Sequence, residues 1–306
     1  MDSSVQTPLP IDIGVAGSAP EAVVSLGLQP GDRAMLARWL HGRPDSTQRA
    51  YHTDIAHFLA HVRKPLADVT LTDLQGYADV LAAQSLAAST RVRTLSVIKS
   101  LLTFAHETGY ISLNVGRALR LPAVRTRLAE RIPSEEDILA LLAHEHDPRN
   151  HALIRLLYAA GLRISEACAL RWRDLAHRGA SGQVTVWGKG GRERAVLLTG
   201  GTWRELLSFR PPTAGPDDPV FPSSRGRPLS TTQAWRIVKA AAVRADLPMA
   251  GALSPHWLRH AHASHALDRG APVSLVRDCL GHASLATTSR YTHARPDDSS
   301  SRYLPI

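Results

Sequence analysis

Cysteine is nearly absent from this chain: among 306 residues only Cys168 and Cys279 carry thiols, both in apolar settings. Two such thiols give no disulfide framework and suit a reducing cytoplasm. Long apolar runs are missing too. Nothing approaches the ~20 consecutive apolar residues of a membrane span, and no charged stretch followed by an apolar run marks a secretory signal. The expectation is a cytoplasmic protein with no membrane partner. A phosphate-binding loop of the form GxxxxGK[ST] is lacking, as is a carboxylate cluster suited to two metal ions, so the common nucleotide-driven and two-metal routes have no sequence support. Negative charge is also in short supply: 27 Asp+Glu stand against 36 Lys+Arg, a net charge of +9 and a pI near 10.1. That balance favours a polyanionic partner.

The positive charge is unevenly spread. From Arg91 to Arg131 eight basic residues (Arg91, Arg93, Lys99, Arg117, Arg120, Arg125, Arg127, Arg131) meet only Glu107 and Glu130. Such a stretch can lie along a phosphate backbone, each contact adding salt-sensitive affinity. Length suggests two domains. Residues 1–28 are rich in Ser, Pro, Gly and Ala without sustained periodicity, and read as a disordered tail. Between about 31 and 119 the pattern predicts four helical segments. In the second, Ser46 serves as N-cap, and Tyr51, Ile55, Phe58, Leu59 and Val62 form an apolar stripe that leaves Thr47 and Arg49 facing outward. The fourth, Ala88 to Gly109, turns Val92, Leu95, Ile98, Leu101 and Leu102 inward and leaves Arg91, Arg93 and Lys99 elsewhere on its surface. Residues 120–132 read as an extended basic linker, and a new helix begins after Ile132-Pro133-Ser134.

Chemistry concentrates in the second half. Tyr291 lies behind Leu280-Gly281-His282, and upstream stands Ser254-Pro255-His256-Trp257-Leu258-Arg259-His260. A phenol is a weak nucleophile near pH 7, its pKa being about 10, so a Tyr that attacks phosphorus needs neighbouring donors and cations. Ser254-Pro255 suits a helix start, and that helix places His256 and Arg259 on one face. Its free N–H groups would point at an anion. Each residue alone has an ordinary explanation: a half-buried packing Tyr, a surface Arg at a helix end. His256, His260, His262 and His265 could also suggest a metal site, but the Glu of the metalloprotease helix motif is missing and neither cysteine lies in the cluster, so no metal is expected. Arg163 falls in the break between a helix ending at Gly161 and another starting near Ser165. Gln183–Trp187 and Ala195–Leu198 read as short strands, with Gly188-Lys189-Gly190-Gly191 as the turn that lifts Lys189 to a hairpin tip. Arg192 and Arg194 add charge there, and a solvated basic hairpin is the other reading.

Taken in order, GLRISE with Arg163, GKGGRER with Lys189, SPHWLRH with His256 and Arg259, LGH with His282, and TTSRYTH with Tyr291 resemble the tyrosine recombinases, the phage integrase family of site-specific recombinases, most closely the bacterial Xer type. The likeness covers nearly all of residues 30 to 295. It implies a mainly α fold: a small helical core-binding domain (29–119) and a mostly helical catalytic domain with a small antiparallel β-sheet (133–295), joined by the linker 120–132 and followed by a tail, 296–306. It implies that Tyr291 attacks the scissile DNA phosphate to leave a 3′-phosphotyrosyl link and a free 5′-hydroxyl. Arg163 and Arg259 would grip the non-bridging oxygens, since guanidinium is planar, permanently charged and bidentate. His282 would add a hydrogen bond, His256 would donate or accept the phenol proton, and Lys189 would protonate the departing oxygen. Glu166 would orient the cleft.

The same resemblance places Thr47, Arg49, Arg91, Arg93, Lys99, Arg192, Arg236 and Lys239 against DNA. Double-stranded DNA with specific target sites is the implied partner, bound by a homo-tetramer on two sites or by a hetero-tetramer with a second recombinase. Neither ATP nor a metal is implied, because one phosphodiester is exchanged for a phosphotyrosine and back. The implied location is the cytoplasm, at the nucleoid. Two other functions share these features: a topoisomerase IB-like nicking and religating enzyme, and a DNA-binding regulator with an idle site. The chain departs from the Xer pattern after Tyr291, where Pro296 should stop a helix early. Its first residues are too short and too poorly patterned for an arm-binding domain.

Overall fold

The computed structural model describes residues 29–123, 128–188, 191, 193–282 and 284–291. Both tails predicted from the sequence, 1–28 and 296–306, therefore lie outside the described residues. The chain divides into two compact units, residues 1–125 and 126–306, with the division inside the basic stretch 120–132. Within that stretch Ala129–Arg131 forms a 3₁₀ turn rather than extended chain. No helix among the described residues is long and apolar enough to cross a membrane.

Among the described residues, four α-helices build the first unit: α1 (Pro30–Leu40), α2 (Asp45–Val62), α3 (Leu71–Ala83) and α4 (Ala88–Glu107). Helix α2 starts two residues earlier than its sequence suggests. Pro44 takes the N-cap position, so Ser46 lies inside the first turn and makes no cap. Pro is suited there because its fixed φ matches the entry and it has no N–H to leave unpaired. Ile55 and Phe58 of the predicted stripe are fully buried and Leu59 nearly so, against Leu95, Ile98, Leu101 and Leu102 of α4 in one core. Each such side chain contributes about 1.5–3 kcal/mol by leaving water. Thr70 and Asp73 close a capping box at the start of α3. Buried Asp32 of α1 accepts hydrogen bonds from Leu66 N and from Tyr110 Oη, the latter at 2.8 Å. Those bonds satisfy a charge that burial would otherwise penalise.

The second unit is helical around one small sheet. Helices α5 (Glu135–Ala143), α6 (Pro148–Ala159) and α7 (Ile164–Ala169) lead into strands β1 (Leu175–Arg178), β2 (Ser181–Trp187) and β3 (Glu193–Leu198). These pair antiparallel in the order β1-β2-β3, with Trp187 opposite Glu193 next to the turn. Alternation shows on β2 and β3, where Val184, Val186, Val196 and Leu198 are buried. Strand β1 is mostly exposed and lacks that alternation, which is why its sequence carries no strand signal. Gly182 is required on β2, since a Cβ there would meet the Trp203 ring at 2.0 Å. Helices α8 (Gly200–Ser208), α9 (Thr231–Arg244), α10 (Pro255–Asp268), α11 (Val273–Leu280) and α12 (Leu285–Ser289) complete the unit. Leu258 and Ala261 of α10 enter the same core as Leu153, Leu156 and Leu157 of α6.

Candidate active site

Helix α6 ends where Gly161 adopts φ +58, a left-handed value open to glycine at little cost. The chain then turns so that Arg163 becomes the N-cap of α7 and leaves the core. Its Nη1 donates to Glu166 Oε1 at 2.8 Å and its Nη2 to Gly281 O at 3.4 Å. Glu166 is buried and shared, for Arg194 on β3 donates Nη1 to Oε1 at 2.9 Å and Nη2 to Oε2 at 2.7 Å. Burial alone would raise the pKa of that carboxyl. Hydrogen bonds from Arg194 and from the backbone and side chain of Arg163 outweigh it and bring the group down to about 2. Arg194 Nε also donates to Cys279 O at 2.8 Å. One carboxylate thus joins the α6–α7 break, the sheet and the end of α11.

Helix α10 supplies three more groups. Ser254 and Pro255 occupy the N-cap and first position as predicted, though the Ser254 hydroxyl makes no capping bond. Arg259 is 2 % exposed and points at two backbone carbonyls, donating Nη1 to Gly161 O and Nη2 to Leu280 O at 2.6 Å. Burial, then the charge of Arg163, lowers its pKa to about 10, so it stays cationic at neutral pH. His256 stacks edge-on against His260 with ring centroids 4.3 Å apart. Desolvation and the charges of Arg259, Arg163 and Arg131 lower the pKa of His256.

After α11, Gly281 turns left-handed and releases His282, whose Nδ1 lies 2.9 Å from Thr288 Oγ1. Burial and the charges of Arg259, Arg163, His256 and Arg194 hold His282 down to about 4. Tyr291 follows α12. It is 5 % exposed, its ring lies parallel to that of His282 at 6.4 Å, and its Oη is 2.7 Å from His260 Nδ1. Burial raises its pKa, against the opposing charges of Arg259 and Arg290. Arg163, His256, Arg259, His282 and Tyr291, drawn from four segments, therefore share one neighbourhood. Lys189 and Arg192 lie outside the described residues.

Two participants were not picked out by sequence reasoning. Arg194 was read only as hairpin charge, although it falls in phase with Val196 and Leu198 on the covered face of β3, and a charge at such a position signals a buried partner. His260 was weighed only as a metal ligand, yet its ring nitrogen meets the phenol. Among the described residues no group of three or more His, Cys, Asp or Glu is placed to hold a metal ion. His262 and His265 both turn to Tyr158, with Nδ1 2.8 Å from its carbonyl oxygen and 3.0 Å from its hydroxyl, respectively.

The residues suggested for DNA contact fall into two groups. Arg49 and Arg236 are exposed and Thr47 is half-buried. The others have partners or are partly covered: Arg93 donates Nη2 to Asp54 Oδ1 at 2.9 Å, Lys99 Nζ donates to Leu119 O, and Lys239 Nζ donates to Ala250 O at 3.1 Å while lying over the Trp235 ring. Arg91 is half-buried with its Nε unbonded.

A helical unit with a three-stranded sheet, holding a buried Tyr among Arg and His, defines an enzyme of the tyrosine-nucleophile, DNA strand-breaking class. Residues 133–297 match the Phage integrase family, and residues 41–109 match the Phage integrase, N-terminal SAM-like domain. The tyrosine recombinase XerD of Shewanella oneidensis is 35% identical over 266 residues, covering 82% of this chain and 87% of its own. The tyrosine recombinase XerC of Corynebacterium efficiens is 35% identical over 263 residues, covering 82% of each. Among solved structures, a lambda integrase dimer bound to a COC′ core site shares the fold, with a TM-score of 0.70 at 20% identity, over 88% of this chain and 95% of that one. The chain belongs to the phage integrase family and is a tyrosine recombinase.

Proposed function

We propose that the protein cuts and rejoins double-stranded DNA at specific sites, with Tyr291 as the nucleophile. Its Oη attacks phosphorus, the bond to the 5′-oxygen breaks, and a 3′-phosphotyrosyl link remains. The free 5′-hydroxyl of a partner strand later reverses the step, passing through a Holliday junction. Bond energy is conserved in the link, so no nucleotide is consumed. Arg163 and Arg259 meet the charge that builds on the non-bridging oxygens. Glu166 and the carbonyls of Gly161 and Leu280 hold the two guanidiniums in place before DNA arrives, which is the preorganisation such catalysis needs. With two of its roughly five N–H donors on carbonyls, Arg259 keeps about three for phosphate. His282, neutral at pH 7, donates a further hydrogen bond, and Lys189, between β2 and β3 in the sequence, protonates the departing oxygen.

The observation that carries this reading is the convergence of Tyr291 with Arg163, Arg259 and His282, on a fold whose curated relatives are recombinases. Those relatives disfavour a topoisomerase IB-like enzyme or an idle regulator. The partner is duplex DNA, engaged by four protomers on two sites, either identical or shared with a second recombinase; a lambda integrase tetramer has been solved on a Holliday junction. Contacts come from Arg49, Thr47 and Arg236, with Arg91, Arg93, Lys99, Arg192 and Lys239 in support. Action on chromosomal or mobile DNA places the protein at the nucleoid.

Capture of DNA on denatured protein tests the reading. Wild type is expected to form a covalent adduct with nicked suicide duplexes drawn from sites it captures in genomic DNA. Tyr291→Phe is expected to bind the same duplexes and form none. An adduct surviving in that variant would overturn the choice of nucleophile.

A further inference from the structure

We propose that His260 is a catalytic residue of this protein, the group that takes the phenol proton from Tyr291 during cleavage and returns it during rejoining. The inference rests on the reading above, in which Tyr291 Oη attacks phosphorus. In the structure the nitrogen beside Oη belongs to His260, at 2.7 Å, within hydrogen-bond reach of the proton to be moved. His256, three residues before Arg259 on the same helix, instead packs its ring on that of His260.

The spacing on α10 makes this division of labour possible. Arg259 and His260 are consecutive, so they leave the helix about 100° apart. Arg259 is drawn to the carbonyls of Gly161 and Leu280, while His260 reaches Tyr291 at the end of α12. The phenol hydroxyl is thereby held by one imidazole while its ring lies parallel to another, that of His282.

Charges around His260 explain why the proton stays on the phenol until DNA binds. Burial, followed by neighbouring His256 and the positive charges of Arg131, Arg259 and Arg290, holds the imidazole down to about 3. It is therefore neutral, able to accept a hydrogen bond at Nδ1 but unable to keep a proton. Those same cations draw in the phosphate, and its negative charge offsets their repulsion of an imidazolium. Base strength would thus appear only with substrate in place. During cleavage the Oη–P bond forms, the P–O5′ bond breaks, the phenol proton passes to His260 Nδ1, and the departing oxygen gains a proton from Lys189. Rejoining runs each transfer backwards, so His260 begins and ends neutral and nothing is consumed.

The test is single-turnover cleavage of a nicked suicide duplex whose sequence is taken from DNA captured by the wild-type protein. Failure of wild type to form any adduct would refute the functional reading itself, and so is distinct from failure of this inference. His260→Ala and His260→Gln are both expected to bind the duplex and cleave roughly 10²-fold more slowly or worse, the usual contribution of a positioned base. Glutamine can hold the hydroxyl but cannot take its proton, so a Gln variant as fast as wild type would overturn the proposal. A fluorinated tyrosine at position 291 supplies the second arm. Its phenol is more acidic and needs less help, so it should restore most of the rate lost in His260→Ala while changing wild type little. A loss that fluorination leaves untouched would show His260 to be packing alone.

Discussion

Arg194 and Glu166 form a two-bond ion pair, at 2.9 and 2.7 Å, with side chains only 11% and 3% exposed. The pair connects the β2–β3 hairpin to the helix that begins at Arg163. Arg194→Ala would leave Glu166 buried with Arg163 as its remaining cation. Breaking a buried pair from one side typically costs about 3–5 kcal/mol. A loss of that size in unfolding free energy, read from denaturant melts, is expected together with slower adduct formation. Arg194→Lys should recover only part of it, since one ammonium cannot reproduce the fork.

Gly161 permits the turn that delivers Arg163, and its carbonyl orients Arg259. A Cβ there would meet His262 at 2.7 Å and Leu280 at 2.8 Å. The left-handed backbone alone costs an alanine about 1–3 kcal/mol. Gly161→Ala is expected to lower thermal stability by more than that penalty and to depress cleavage more than DNA binding. Equal loss in both assays would argue that the turn matters only for folding.

Stability should fall with acidity in two windows. His260, His262 and His282 are held, mainly by burial, to about 3, 4 and 4. Above pH ~6.5 neither state binds these protons; between ~6.5 and ~4 only the unfolded chain does, so folding weakens as pH drops. Glu166 adds its loss lower, as pH falls from about 4.5 toward about 2. Denaturant midpoints at pH 7.5 and 5 measure the first window. His262→Gln, which can still donate to Tyr158 O, should flatten the slope.

The basic residues suggested for DNA contact should separate by what they already hold. Arg93→Ala is expected to destabilise the fold by about 1–3 kcal/mol, because Asp54 is left with an unmet charge. Arg236→Ala, on the exposed side of α9, should leave stability unchanged, weaken DNA binding and reduce the salt slope by about 1. Salt titrations of binding beside melting curves distinguish the two.

Much of the fold was readable along the chain. The Ile55–Phe58–Leu59 stripe, the inward residues of α4, the Ser254-Pro255 helix start and the β2–β3 hairpin all follow from local periodicity and capping chemistry. Where reading failed, local signals were weak. Strand β1 exists because β2 offers it a partner, and Pro44 displaced Ser46 at a helix end where a shift of two residues costs little.

The sequence by itself determined the order of chemical groups and the family, because Arg163, His256, Arg259, His282 and Tyr291 stand in motifs whose residue types suit phosphate. Only tertiary structure decided who touches whom. Glu166 and Arg194 are 28 residues apart, His260 and Tyr291 31 apart. Burial and hydrogen-bond satisfaction act through space, and they chose His260 as the neighbour of the phenol.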